Sequence, residues 1–339
     1  MTPADLLGGT MIAALVFYAL LAGADFGGGI WDLLALGPRA RAQRALIEDA
    51  IGPIWEANHV WLILVVVVLF TGFPTAFSAV STGLFAPLVV LLVGVVLRGA
   101  AFTFRTYDDP RDDVQRRWGL VFSAASLVAP LMLGVVVGTL ASGRLRVEGG
   151  VATGGPHAWA APFPLLIGLF AAALFAFLAA TYLAVEAEGD LREDFRRRAA
   201  AAGAAVFVLA LASAAASWRE APLVFLGLTA RGWSLPLHLA TGAAATGAFA
   251  ALFARRYRLA RLAAAAQVAL IVLGWGASQY PYLVVPDLTL ASASAPRHVQ
   301  VLLLWALGAG ALVLFPCLYL LFRVFKGERP FSVVDRARR

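Results

Sequence analysis

The sequence predicts an all-α membrane protein with nine transmembrane helices, arranged as two four-helix bundles plus one additional helix. Of its 339 residues, 61% are hydrophobic and only 14% are charged, and the mean hydropathy is +0.82. Soluble domains carry about 25% charged residues, so the composition argues against a water-soluble fold. A bilayer core is crossed by roughly 20 apolar residues of helix, and such runs recur along the chain between short charged loops.

Polar or turn-forming segments separate nine apolar runs. Residues 1–7 (MTPADLL) hold no Lys or Arg, so we expect the first run to be a retained membrane helix rather than a cleaved signal peptide. The segments FPTAF, YDDPRDD and EAEGDLRED follow the second, third and fifth helices, whereas APLVFLGLTARG is too short to span and predicts a re-entrant or surface segment. The predicted helices are 8–36, 51–73, 81–105, 118–141, 162–185, 199–217, 233–255, 260–281 and 298–325.

The basic residues predict the orientation. The loops after the first, third, fifth and seventh helices, together with the C-terminal tail, hold 21 of the 27 Lys and Arg residues, whereas the opposite loops hold five and Arg98 lies within a helix. The positive-inside rule then places the N-terminus outside and the C-terminus in the cytoplasm. Because topology explains the net charge of +7, no nucleic-acid partner is expected.

Four regions are predicted along the chain. Helices one to four and five to eight form two sets, and the Gly-rich loop EGGVATGGPHAWAAP divides them. Small residues crowd several helix faces, as close helix packing in lipid favours. The regions are a first four-helix bundle (1–141), an extracytoplasmic loop (142–161), a second four-helix bundle (162–281), and the ninth helix with a cytoplasmic tail (282–339).

Ionisable residues at membrane depth are the strongest functional signal. A charge within the bilayer costs on the order of 2.5 to 3.5 kcal/mol on insertion scales, so such residues usually have partners or functions. The first three predicted helices bring five ionisable groups to similar depth in the cytoplasmic half: Asp25, Asp32, Glu56, His59 and Arg98. We expect the acids and the histidine to form a proton pathway and Arg98 to supply a supporting charge.

The spacing on the first helix places two acids beside glycines. Asp25 and Asp32 are seven residues apart, nearly two turns, and Gly28 and Gly29 lie on the same stripe. Glycines at this spacing allow another backbone to approach the aspartates. A role for Asp32 as a solvated residue at a helix end remains an alternative.

The start of the second helix carries an acid and an imidazole. Glu56 and His59 are three residues apart, which places them on one face of a regular helix, and such a pair can pass protons. Two plainer alternatives remain: Arg98 pairs with Glu56 as a structural ion pair, and His59 is a buried neutral hydrogen-bond donor.

Haem or metal ligation within this chain is not expected. The sequence has one Cys, four His and three Met, and no two histidines fall at matching depth on adjacent predicted helices, so a bis-His or Met/His haem site is improbable. Cys317 lies inside the last apolar run, and a single Cys excludes an intrachain disulfide. We therefore expect that no cofactor is bound mainly by this chain.

Four stretches together resemble a known family. They are GADFGGGIW in the first helix, IGPIWEANHVWLI at the start of the second, LRGAAFTFR at the end of the third, and QYPYLVVPDLTLASASAP before the ninth. The sequence resembles subunit II of cytochrome bd-type quinol oxidases, in particular the cyanide-insensitive branch. The residues that carry the resemblance are Gly23, Gly27, Gly28, Gly29, Trp55, Asn58 and Trp61.

The resemblance implies a heterodimer in a bacterial plasma (inner) membrane, with a haem-bearing subunit I that holds the b-type and d-type haems. It implies that the complex oxidises quinol and reduces O2 to water, with protons taken from the cytoplasm. Quinol, lipids and a small single-helix subunit are further expected partners. In the family an acid at the Glu56 position helps to carry protons, and Asp25 matches the second aspartate of the first signature. This chain has Ala22 where many members have the first aspartate, so Asp32 or His59 is expected to substitute.

Two other functions are compatible with acids at membrane depth. A proton- or cation-coupled secondary transporter would also bind its ion with a carboxylate at depth, but transporters often have inverted repeats and broken helices, whereas the two predicted sets of four are parallel. The third hypothesis is a purely structural assembly subunit, in which the acids stabilise an interface. A co-purifying haem-rich partner would favour the oxidase.

Overall fold

The computed structural model describes residues 2–51, 55–107 and 112–326. Nearly all of these residues are helical, and the strands form two short hairpins. The helices are α1 (Pro3–Leu33), α2 (Ala40–Ile51), α3 (Trp55–Asn58), α4 (Val60–Gly72), α5 (Pro74–Gly83), α6 (Phe85–Tyr107), α7 (Asp112–Ser142), α8 (Gly155–Trp159), α9 (Pro162–Glu186), α10 (Gly189–Glu220), α11 (Pro222–Ala230), α12 (Ser234–Phe253), α13 (Tyr257–Gln279) and α14 (Arg297–Lys326). The strands are β1 (Arg146–Glu148), β2 (Val151–Thr153), β3 (Tyr282–Val284) and β4 (Leu288–Thr289).

The predicted all-α membrane fold is confirmed. Within the described residues, eight helices are long and apolar enough to cross a bilayer, and a ninth span is obtained if the bent pair Ala40–Ile51 and Glu56–Gly72 is counted as one. Each of the nine corresponds to one predicted helix. The starts differ most in the second span, which begins at Ala40 rather than at 51, and in α10, which begins at Gly189 rather than at 199. The first turns of α10 are charged, and hydropathy does not detect a helix that continues into water.

The second span is bent close to the start of the predicted helix 51–73, between Ile51 and Glu56. The two halves meet at an angle of 57°. The preceding α2 is amphipathic, with Gln43, Ile47 and Ile51 on its buried face. His59 forms a turn between α3 and α4, and residues 52–54 of the predicted helix lie outside the described part of the chain.

A separate short helix follows the second span. FPTAF was predicted as a turn, but Pro74 starts α5, which precedes α6. Proline suits the first position of a helix because the missing N–H has no intrahelical acceptor there. The third span therefore begins at Phe85 rather than at 81. The segment predicted to be too short to span forms α11, a helix of nine residues.

Two hairpins stabilise the predicted outer side. The β1–β2 hairpin turns at Gly149 and Gly150, which have φ values of 57° and 82°. Positive φ at both central residues is the signature of a type I′ turn, which glycine adopts without strain. The β1 strand is joined to the loop before α14, because Arg146 donates two hydrogen bonds to Asp287, at 2.8 and 2.9 Å.

The core is centred on α1, α7 and α9. The α7–α9 crossing is close because glycines meet backbone: a Cβ at Gly134 would lie 2.6 Å from the Ile167 carbonyl oxygen, and one at Gly168 would lie 2.7 Å from that of Leu131. One buried cluster includes residues of both predicted bundles, and α1 of the first set packs against α9 and α13 of the second. The four regional boundaries therefore stay a prediction. The ninth span, α14, packs against α1 and α4.

Candidate functional site

Asp25 lies in the interior of the protein. It is on α1, about 12 Å along the axis from the end of that helix, and only 6% of it is exposed. The Nδ2 atom of Asn58 donates a hydrogen bond to Asp25 Oδ2 at 2.6 Å, and Asn58 is itself buried. The sequence identified Asn58 only as a motif residue, whereas the structure shows that it holds the carboxylate.

Arg98 on α6 is 1% exposed and lies between two aromatic rings. Its Cζ atom is 5.0 Å from the ring centroid of Phe26 and 5.3 Å from that of Phe122, so each ring face contributes a cation–π contact. Its Nε and Nη2 atoms are buried and have no hydrogen-bond partner within the described residues. Arg98 also interacts electrostatically with Asp25, so the two opposite charges share this part of the interior.

Tyr18 is a member of the same cluster that the sequence did not single out. It is 1% exposed, and its hydroxyl has no hydrogen-bond partner in the part of the chain that the structure describes. Its ring centroid lies 6.0 Å from that of His59 and 6.3 Å from that of Phe26, and Phe26 is 5.8 Å from His59. Tyr18 precedes Asp25 by seven residues, as Asp25 precedes Asp32. That repeat was the available signal.

Asp32 is buried at the end of α1, so the alternative of a solvated residue is wrong. It is 2% exposed. Its Oδ1 atom lies 3.0 Å from Arg105 Nη1, and its Oδ2 atom accepts a hydrogen bond of 2.6 Å from Ser123 Oγ. Arg105 also lies 3.5 Å from Glu48. The sequence counted Arg105 as a loop charge because its helix ends there, and nothing in the local pattern indicated Ser123.

The glycines of α1 allow three neighbouring helices, α2, α7 and α9, to approach closely. A Cβ at Gly27 would collide with the backbone carbonyl of Phe175 on α9. A Cβ at Gly23 would lie 2.7 Å from the ring of Phe175, and one at Gly28 would lie 2.7 Å from Ile51 on α2. Gly29 faces a side chain of α7. The glycines thus surround the helix beside the acids rather than form one stripe.

Glu56 lies apart from this cluster. Its side chain is exposed, whereas Asn58, two residues later, points into the core. His59 has a helical backbone conformation and packs half-buried against the aromatic rings. The expected proton-passing pair of Glu56 and His59 therefore stays a prediction. No hydrogen bond or ion pair within the described residues joins Glu56 to Arg98. The alternative of a structural ion pair between these two residues is therefore not formed in that part of the chain.

The exposed side of Glu56 continues along α4. Val60, Ile63, Val67 and Phe70 follow at helical spacing and are 38% to 60% exposed. A carboxylate next to an apolar stripe faces the surroundings of this chain.

Trp31 and Trp61, which lie in the first and second resembling stretches, are buried. Trp31 donates a hydrogen bond from Nε1 to the Ala176 carbonyl at 2.7 Å. Trp61 is 4% exposed and stacks on Phe17 at 4.4 Å. Trp31 is itself 8% exposed. Trp55 begins α3, but its side chain lies outside the described part of the structure.

Metal-ligating residues do not cluster. Within residues 2–51, 55–107 and 112–326, no group of three or more His, Cys, Asp and Glu side chains could hold a metal ion. His157 and His298 are exposed, and His238 Nδ1 lies 2.6 Å from the Ser234 carbonyl. The site holds a line of buried ionisable groups on one helix, Tyr18, Asp25 and Asp32.

Comparisons with known proteins agree with one another. The family model described as cytochrome bd terminal oxidase subunit II matches residues 4–325. Cytochrome bd ubiquinol oxidase subunit 2 of Bacillus subtilis is 30% identical over 214 residues, which are 61% of each chain. Cytochrome bd-I ubiquinol oxidase subunit 2 of Escherichia coli K12 is 29% identical over 60% of this chain and 54% of that protein. The matches thus span about three fifths and about half of these relatives.

A solved structure shows the same fold. The structure of bd oxidase from Geobacillus thermodenitrificans contains a chain that superposes with a TM-score of 0.79. The match covers 97% of this chain and 100% of that chain, at 23% sequence identity. The arrangement of helices is therefore shared over the full length.

Proposed function

The chain belongs to the family of cytochrome bd terminal oxidase subunit II, and on that premise we propose that it is the haem-free subunit of a membrane complex that oxidises quinol and reduces O2 to water. The b-type and d-type haems, which would supply the electron transfer and the O2 chemistry, are assigned to a partner subunit I. The donor set of this chain, with four His and one Cys, supports that assignment. The proposed orientation has the N-terminus outside and the C-terminus in the cytoplasm.

The observation that carries the proposal is a buried polar line on α1. Tyr18, Asp25 and Asp32 are spaced by seven residues, about 10 Å along the helix axis, and none is more than 6% exposed. Groups of this kind are costly in a membrane interior and mark proton routes. We propose that protons enter at Asp32, at the end with Arg105, and move outward toward Asp25.

Water completes this proposed route. A step of about 10 Å is too long for a direct hydrogen bond, whose heavy atoms are about 3 Å apart. The cluster carries buried polar atoms without a partner among the described residues, namely Tyr18 Oη, Asn58 Oδ1, and Nε and Nη2 of Arg98. Buried water molecules typically bind to such atoms. Arg98 supplies the positive charge that accompanies Asp25 in the interior.

Glu56 is the proposed exit from this chain. Asn58, two residues along the chain, contacts Asp25 on the buried side, whereas Glu56 faces outward beside the apolar stripe of α4. A carboxylate facing hydrocarbon is unfavourable, whereas a haem-bearing subunit packed on this face would cover the stripe and receive the proton. Glu56 would then deliver protons toward the site of O2 reduction.

Purification of the chain tests the proposal. A tagged copy is extracted in mild detergent from cells that also express the proposed haem-bearing subunit I. We expect a coloured complex with a haem spectrum that consumes O2 when quinol is added. A colourless chain without a partner, and without quinol-dependent O2 consumption, would contradict the proposal. It would favour the secondary transporter, for which the 57° break in the second span is the one supporting observation.

A further inference from the structure

A basic cleft of about 300 Å³ opens at the proposed cytoplasmic end of the molecule, just beyond the end of α1. It lies between the segment that connects α1 to α2 and the first turns of α10. Three guanidinium groups line it, those of Arg39, Arg197 and Arg198, against one carboxylate, that of Asp194. Such a surplus of positive charge suits an anionic ligand.

The single carboxylate in the cleft is already neutralised. Arg39 donates from Nε and Nη2 to the two oxygens of Asp194, at 2.8 and 2.6 Å, and Gln43 Nε2 donates to one of them at 3.0 Å. Arg197 lies 3.3 Å from Glu193, but that carboxylate is shared with Arg196 at 2.5 Å. Arg39 also lies 3.6 Å from Asp190. The four arginines Arg39, Arg196, Arg197 and Arg198 therefore exceed the three carboxylates Asp190, Glu193 and Asp194 by one positive charge.

Arg198 holds its charge in a fixed position. Its Nη2 atom donates to two neutral acceptors, the Leu34 carbonyl at 3.1 Å and Gln43 Oε1 at 2.8 Å. Its guanidinium lies 5.2 Å from the ring centroid of Trp31 and 5.3 Å from that of Phe195. No carboxylate in the described residues forms an ion pair with it. Both N–H groups of Nη2 are thereby used and Nη1 is buried, so Arg198 offers a phosphate a fixed positive charge, whereas the exposed guanidinium of Arg197 is free to donate hydrogen bonds to it.

The cleft lies where a lipid headgroup would be. The apolar part of α10 begins only near residue 199, so its first turns reach beyond the hydrocarbon core. Leu34 and Leu36 border the cleft region and are 49% and 76% exposed, which offers an apolar surface to an acyl chain. Basic pockets between membrane helices on the cytoplasmic side bind the head groups of anionic lipids.

We propose that this cleft binds the phosphate of an anionic phospholipid of the cytoplasmic leaflet. Phosphatidylglycerol is the simplest lipid of that chemistry, with one negative phosphate and two acyl chains. The proposal depends on the orientation given above and is independent of the oxidase activity.

Lipid binding to the delipidated, detergent-purified complex tests the proposal. Dioleoyl-phosphatidylglycerol, dioleoyl-phosphatidylcholine and glycerol 3-phosphate are titrated separately, and bound ligand is counted by native mass spectrometry. We expect the phosphatidylglycerol to bind at least about fivefold more tightly than the zwitterionic lipid, because one arginine near an anionic surface contributes about this factor. Arg197→Gln should raise its Kd about fivefold by the same argument.

Arg258→Gln is the matched control. Arg258 is exposed on the same proposed side, at the start of α13 and outside the cleft, so it removes an equal charge without touching the site. Arg197 is 73% exposed, so its replacement is not expected to disturb folding. Equal binding of the two lipids, or equal effects of the two replacements, would overturn the proposal. Displacement of the lipid by glycerol 3-phosphate at the lipid's own concentration would also overturn it, because the cleft would then bind small anions generally.

Discussion

Replacing Gly27 with alanine is expected to destabilise the protein strongly, because the added methyl group meets backbone rather than a side chain. A Cβ at this position would collide with the carbonyl group of Phe175 and lie 2.7 Å from the Cβ of Ala179. A flexible side chain could rotate away, but here α1 and α9 must move apart at the centre of the core. Overpacking a core typically costs about 1 to 3 kcal/mol, and we expect the upper end of that range.

Thermal denaturation of the detergent-purified protein measures this effect. A loss of about 3 kcal/mol corresponds to a fall of the midpoint by roughly 6 to 12 °C in chains of 150–250 residues, and we expect at least about 5 °C here. Gly9→Ala on the same helix is the control, because nothing lies within 4 Å of a Cβ there. Alanine is the better helix former, so that variant should equal or exceed the parent. If Gly27→Ala were as stable as Gly9→Ala, the close α1–α9 contact would be refuted.

Two further predictions concern polar contacts. Ser123→Ala removes the 2.6 Å hydrogen bond to the buried carboxylate of Asp32 and should lower thermal stability by about 1 to 3 kcal/mol. Ser126→Ala, which loses a bond only to a carbonyl of its own helix, should lower it less, and equal losses would contradict the assigned role. The hydrogen bonds from Arg146 lower the pKa of Asp287 below its ordinary value of 3.8, so the pair stabilises the fold above that pH and its contribution is lost as the pH falls below it. Asp287→Asn should therefore be less heat-stable than the parent at pH 7, and the two should be equally stable at a pH low enough to protonate Asp287 in the folded protein. A difference in stability that persisted at that low pH would contradict the pairing.

The sequence predicted the nine spans well because the membrane imposes a simple rule. Every backbone group in hydrocarbon must be bonded internally, so an apolar run of sufficient length is a helix. The prediction failed where that rule does not apply. The first turns of α10 are helical in water, and the bend between Ile51 and Glu56 depends on how α2 packs against α1, which no local pattern shows.

The candidate site was only partly predictable for a related reason. Asp25, Asp32 and Arg98 stand out because charge in an apolar run is rare. Tyr18 does not, because a lone tyrosine in such a run resembles an ordinary core residue. The spacing of Glu56 and His59 predicts a shared helix face but does not tell which side of that helix is buried, and Glu56 is exposed whereas His59 is half-buried.

Proton delivery in the purified complex tests the central claim most directly. Asp25→Asn and Glu56→Gln are compared with Asp190→Asn, an acid 84% exposed at the start of α10. O2 consumption is measured with excess quinol, proton uptake is followed in parallel, and the haem content of each preparation is determined. Removal of a proton-transfer group usually costs 10² or more in rate, so we expect turnover and proton uptake to fall at least about tenfold in the first two variants and to stay unchanged in the third. Unchanged turnover and proton uptake in Asp25→Asn and Glu56→Gln, at full haem content, would contradict the account.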